Sequence, residues 1–158
     1  MITVIDSGIG NFLSVVNMLK KIGYESILTD DYDLISKSKI LIFPGVGNFD
    51  HVMHKIYEKK IDKAILNSLE KNSKLLGICV GMQALFTKSE EGELKGLNLI
   101  NGDIRKFNFK NNNFKIPHMG WNEVKFNNKS VFSKTLANNK FYFVHSYFAD
   151  CNDKGDIL

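Results

Sequence analysis

Cysteine, proline, arginine and tryptophan are all scarce in this chain of 158 residues, with two each of the first pair and one each of the last. Cys79 and Cys151 are too few for a disulfide framework, and no Cys/His grouping has the spacing of zinc ligands, so no metal or other cofactor is expected. The single arginine, Arg105, leaves no clustered Arg and Lys among exposed aromatics of the kind that marks a nucleic-acid surface. The net charge of +4 comes instead from lysines scattered along the chain, which read as solvated helix faces and loops. No apolar run reaches membrane-spanning length, and residues 1–6 lack the basic flank, long apolar core and cleavage site of a signal peptide. A cytoplasmic protein with neither nucleic-acid nor membrane partner is expected, in a compartment that keeps thiols reduced. With 44% apolar and 24% charged residues, no internal repeat and no linker, residues 1–158 are expected to form one domain.

The richest stretch is Leu75-Leu76-Gly77-Ile78-Cys79-Val80-Gly81-Met82-Gln83, an apolar strand that runs into a Gly-flanked cysteine and then a helix start. Glycines two positions either side of a nucleophile let the backbone turn sharply and push the side chain out above a sheet. The free N–H groups and dipole of the following helix would favour a thiolate at Cys79 and an oxyanion beside it. A buried structural cysteine between incidental glycines is the other reading of the pentapeptide.

Alternation of strands and helices surrounds that elbow. Residues 2–5 are a short β-branched run ending in Asp6-Ser7-Gly8-Ile9-Gly10-Asn11, after which Phe12, Val15, Val16, Leu19 and Ile22 recur at helical spacing and Gly23 closes the helix. Residues 26–28 and 40–43 offer further strands, the latter entering Pro44-Gly45-Val46-Gly47-Asn48. Val52, Ile56, Ile61, Ile65 and Leu69 then mark helical segments before the strand at residues 74–78. Continuous apolar strands alternating with helices imply an α/β fold, a mostly parallel sheet covered on both faces, with functional loops at the strands' carboxyl ends. Beyond about Glu91 shorter pieces at residues 104–109, 124–126 and 141–147 predict an antiparallel extension, with the Asn-rich residues 108–113 as a loop tip.

Several polar groups could share the site with Cys79. The turn Pro44-Gly45-Val46-Gly47 suits backbone N–H groups aimed at a bound group, and an N–H of Val46 or Gly47 with that of Val80 would complete an oxyanion hole; an ordinary turn is the alternative. The first turn lacks the third glycine of a dinucleotide fingerprint, since Leu13 stands there, and it presents Asn11 and Ser14. His145, at a strand end beside Ser146 and Tyr147, is a pocket candidate. His118 reads as a structural histidine, and His51 and His54 as solvated.

Taken in order, Asp6 to Asn11, Pro44 to Gly47, Gly77 to Gln83, Pro117-His118-Met119-Gly120-Trp121-Asn122 and Tyr142 to Tyr147 resemble the class I glutamine amidotransferases over essentially the whole chain. They are most similar to the branch whose glutaminase subunits feed a (β/α)8-barrel cyclase in histidine biosynthesis. The resemblance implies Cys79 as the nucleophile that attacks the amide of L-glutamine, and Val46 and Val80 as backbone oxyanion donors. It implies Gly47, Gln83, His145, Ser146 and Tyr147 as glutamine-binding positions, and Asn11, Trp121, Asn122 and Tyr142 as positions near the interface with the barrel subunit of a heterodimer.

One departure stands out. The family completes its triad with a His-x-Glu pair close to the C-terminus, and neither His118 nor His145 has a carboxylate two residues on. The resemblance therefore implies that the last strands of the family fold are missing from this chain, which would weaken its own glutaminase activity and expose sheet edge. An amidotransferase serving another synthase, such as one that aminates a surface sugar, and a catalytically silent docking module are the rival readings.

Overall fold

The computed structural model describes residues 1–109, 114–126, 133 and 140–158. Its centre is a parallel sheet of four strands, β1 (Ile2–Ile5), β2 (Ser26–Thr29), β3 (Ile40–Gly45) and β4 (Lys74–Cys79), in the order β2-β1-β3-β4. Successive side chains of a strand point to opposite faces, so the same short strands supply two cores. Ile5, Leu41 and Phe43 face α2 (Tyr32–Ser36), α3 (Phe49–Glu58) and α4 (Ile61–Glu70), where Ile35, Phe49, Val52, Met53, Ile56, Ile61 and Ile65 are fully buried. Val4 and Ile42 face α1 (Phe12–Lys21) and its Leu19, Val15 and Val16. Both faces of β1 and β3 are covered, as the apolar strands predict, whereas β4 is covered, among the described residues, only on the side of α3 and α4.

Local chemistry sets the helix ends. The side chain of Asn11 accepts the N–H of Ser14 and opens α1, Asp31 accepts that of Leu34 and opens α2, and Asn48 accepts that of His51 and opens α3. Gly23, at φ 85°, stops α1 while the N–H of Tyr24 bonds the Leu19 carbonyl. Five residues give too short a period to read from sequence, so α2 emerges only here. The helical stretch after Gly47 is broken by Lys60, in the left-handed region at φ 58°, into α3 and α4.

The second half departs from expectation in detail. A sheet of β5 (Lys88–Ser89), β6 (Gly102–Lys106) and β9 (Tyr147–Cys151) is antiparallel between β6 and β9 but parallel between β5 and β6. A separate antiparallel ribbon pairs β7 (His118–Glu123) with β8 (Lys140–His145). The strand expected at residues 124–126 is not one, because residues 118–123 take the pairing with β8. The strand expected over residues 104–109 ends at Lys106, beyond which the N–H of Phe107 bonds Ser146 and its ring stacks with Phe109 and Phe148. The strand read over residues 141–147 is two, broken at Ser146, where the chain leaves the ribbon for the sheet. Of the Asn-rich loop, residues 110–113 lie outside the described residues.

Arg105 is spent on structure: its guanidinium meets Asp150 at 3.0 Å, Asp103 at 3.5 Å and Glu90 at 3.6 Å. No helix among the described residues is long and apolar enough to cross a membrane. Among the same residues β4 pairs only with β3, and Leu76 and Ile78 on β4 are exposed.

Candidate active site

Cys79 ends β4 at φ 56° and ψ −119°, a conformation that L residues rarely adopt and that costs on the order of 1–3 kcal/mol. The flanking glycines make the turn possible by close approach. A Cβ on Gly77 would come within 2.6 Å of the Met82 Cα, and one on Gly81 would collide with the Phe43 carbonyl. The elbow thus holds as read from the sequence, and the thiol is exposed. The dipole argument does not hold, because the helix that follows, α5, runs only over Val80–Gln83. One turn has no appreciable macrodipole; what remains is the set of first N–H groups that no helix satisfies internally.

Register brings the second turn to the elbow. Gly45 is the Cα partner of Cys79, so Val46 and Gly47 leave β3 beside the thiol. A Cβ on Gly45 would lie 3.0 Å from the Gly81 nitrogen, which is how closely the two turns pack. Val46, Gly47, Cys79, Val80, Gln83, His145, Ser146 and Tyr147 all line one cavity of about 370 Å³. Every residue expected at the nucleophile, the oxyanion hole and the glutamine pocket is therefore on its wall.

Three features of that wall carry chemical information. Gln83 is 7% exposed and its Oε1 has no hydrogen-bond partner among the described residues, an acceptor that a bound donor would satisfy. Burial, then the charges of Glu91 and Glu90, push the Tyr147 hydroxyl above its usual titration range, so it stays a donor. His145 is fully engaged. Its Nδ1 is 2.7 Å from the Tyr147 carbonyl oxygen and its Nε2 is 2.9 Å from Nδ1 of His118. Neither ring nitrogen is left to take a proton from the thiol.

Sequence reasoning missed Glu91, which lines the cavity and whose Oε2 accepts the Phe49 N–H at 2.8 Å. It lies in an acidic loop with no motif; only the tie between that loop and α3 brings it to the site. Asp50 holds the same loop by accepting the N–H groups of Glu93 and Leu94 at 2.9 and 3.0 Å.

The residues expected at a partner interface lie away from this cavity. Trp121 and Tyr142 are cross-strand neighbours on the ribbon, with rings in edge contact at 5.7 Å and exposures of 72% and 55%. Asn122 is on the opposite face, donating from Nδ2 toward Nε2 of His118 at 3.3 Å. The Asn11 side chain is used as the cap of α1. A second cavity of about 410 Å³ touches Cys79 along β4 and is walled by apolar groups including Ile78, Met82, Tyr142, Val144 and Phe148. Among the described residues no three His, Cys, Asp or Glu side chains are grouped to hold a metal ion.

Comparison with known proteins identifies the family. The family model for glutamine amidotransferase class-I matches residues 3–157. The imidazole glycerol phosphate synthase subunit HisH 2 of Methanococcus maripaludis is 51% identical over 161 residues, covering 100% of this chain and 79% of that protein. The HisH subunit of Leptospira borgpetersenii is 40% identical over 163 residues, again with 100% and 79% covered. A solved structure described as a crystal structure of glutamine amidotransferase superposes with a TM-score of 0.75 at 18% identity, covering 98% of this chain and 76% of that one, which supports the fold. The chain belongs to the class I glutamine amidotransferase family.

Proposed function

We propose that residues 1–158 act as one cytoplasmic glutaminase domain that supplies ammonia to a (β/α)8-barrel cyclase subunit of imidazole glycerol phosphate synthase. The observation that carries this reading is the register of Gly45 with Cys79, which sets a strained, exposed thiol beside the Val46-Gly47 turn on the wall of one cavity. Its relatives carry the name of that synthase's subunit.

In this reading the Cys79 sulfur attacks the carboxamide carbon of glutamine, and the N–H groups of Val46 and Val80 stabilise the resulting oxyanion. The C–N bond then breaks, ammonia leaves with a proton, and water hydrolyses the γ-glutamyl thioester to glutamate and free thiol. Gly47, Gln83, His145, Ser146 and Tyr147 hold the substrate. Glu91 adds a carboxylate suited to the α-ammonium group. Ammonia passes to the barrel subunit, which docks on the surface bearing Asn11, Trp121, Asn122 and Tyr142.

Proton transfer is the step for which these residues supply no group, since both nitrogens of His145 are engaged. Without a general acid or base the step is slower by about 10²- to 10⁴-fold. That engagement is also what favours the second reading, a module that docks on a synthase without forming the thioester.

Intact-mass analysis with a chloroketone analogue of glutamine, with and without the barrel subunit, separates the two. Saturable labelling that disappears in Cys79→Ala supports the glutaminase reading, whereas binding of the barrel subunit with no saturable labelling of Cys79 leaves the docking module.

A further inference from the structure

We propose that His118 is a positioning residue for the Cys79 cavity, holding His145 and the turn at Ser146 and Tyr147 through a hydrogen-bonded chain of one polarity. The chain runs from Asn122 through His118 and His145 to the Tyr147 carbonyl, with separations of 3.3, 2.9 and 2.7 Å. Its direction is fixed independently at each end. The Tyr147 carbonyl can only accept, so Nδ1 of His145 carries the hydrogen. Asn122 Oδ1 already accepts the Glu123 N–H at 2.9 Å, so the group facing His118 is the donating amide nitrogen.

Both constraints meet in the middle without conflict. A neutral His145 protonated on Nδ1 offers a bare Nε2, and a neutral His118 accepting at Nε2 offers an Nδ1–H to fill it. His118 is kept from rotating out of this chain by its stack on Phe143, with ring centroids 4.9 Å apart and planes at 28°. Phe107 closes on the His145 ring edge at 5.1 Å.

The chain also joins two places that the fold otherwise keeps apart. His118 and Asn122 are on β7, His145 ends β8, and the accepting carbonyl begins β9. Ser146, at the break between β8 and β9, is therefore clamped on its amino side by the ribbon and on its carboxyl side by the His145–Tyr147 bond. His118 is not on the wall of the cavity that contains Val46, Cys79 and Gln83; it acts on that wall only through His145.

The role in substrate positioning rests on the glutamine reading of the cavity, but the chain itself does not, and two measurements keep them distinct. In the 158-residue chain with ¹⁵N-labelled histidine, long-range ¹H–¹⁵N spectra are expected to find both rings neutral with Nδ1 protonated and Nε2 bare. A His145 ring protonated at Nε2 overturns the chain, whatever the cavity binds. For function, His118→Phe keeps the aromatic stack and removes the donor. With the barrel subunit present it is expected to weaken saturation by the chloroketone analogue about five- to tenfold, the loss of one hydrogen bond, and to leave the rate of iodoacetamide labelling of Cys79 within about twofold. His118→Asn, which restores a donating nitrogen near the Nδ1 position, is expected to recover most of the loss. Unchanged saturation in His118→Phe, or equal slowing with both reagents, overturns the positioning role. Failure of the parent chain to show any saturable labelling counts against the glutamine reading, and the ring spectra then decide the chain alone.

Discussion

The carbonyl oxygen of Phe43 lies inside the space that a side chain on Gly81 would need. The elbow and the neighbouring strand are in backbone contact there, so the position of Cys79 is set by β3 as much as by β4. Gly81→Ala is expected to destabilise the fold by about 3 kcal/mol through overpacking against backbone that cannot move aside. Gly155→Ala, which meets only the exposed side chain of Asp153, should stay within about 0.5 kcal/mol. Urea denaturation midpoints compare the two, and an unchanged midpoint for Gly81→Ala would contradict the packing.

The two thiols should react very differently. Cys79 is exposed, while Cys151 is 8% exposed and burial, reinforced by Asp156, pushes its thiol above the usual range so that little thiolate forms. Iodoacetamide on the native chain at about pH 8 is expected to add a single group, on Cys79, with a second appearing only in denaturant. Mass spectrometry of peptides reads the site, and a modified Cys151 in the native chain would refute the prediction.

Asp50 ties the loop carrying Glu91 to the start of α3 by accepting two backbone N–H groups. Asp50→Ala leaves those donors without their charged partner, and a loss of about 2 kcal/mol in urea denaturation is expected. Because Glu91 moves with the loop, saturation by the glutamine analogue should weaken as well. A stability loss without any change in saturation would separate the loop from substrate binding.

Lys59 and Asp30 form the shortest ion pair of the described residues, at 2.7 Å. The hydrogen bond from Lys59 holds the Asp30 carboxyl below its usual 3.8, and the same bond holds the Lys59 ammonium above its usual 10.5. Stability from Asp30 is therefore present above its unfolded value and fades as pH falls through the lowered one. Stability from Lys59 is present below its unfolded value and fades as pH rises through the raised one. Both side chains are substantially solvated, so the pair is worth at most about 0.2–1 kcal/mol. Asp30→Asn should show that deficit at neutral pH and converge with the parent chain in strong acid; a deficit that persisted there would assign it to something other than charge.

Much of this was readable in advance. The β-branched run at residues 2–5, the period of Phe12, Val15, Val16 and Leu19, and the glycines around Cys79 report local conformation, and local conformation is what residue type and spacing encode. Extended pieces near the C-terminal half were less legible. A strand is expected at residues 124–126, yet it is residues 118–123 that pair with β8. The break at Ser146 was hidden inside one aromatic run for the same reason, since which strand pairs with which is a long-range matter. Glu91 had no motif at all.

The sequence by itself determined the elbow at Cys79, the parallel strands that deliver it and the family to which the chain belongs, because each depends on short-range sterics or on ordered motifs. Tertiary structure alone decided that Val46 and Gly47 stand beside the thiol, that Glu91 reaches the cavity, and that His118 and His145 are bonded through a single polarity. Those relationships join residues tens of positions apart, and strand register and packing fix them rather than any property of the residues taken singly.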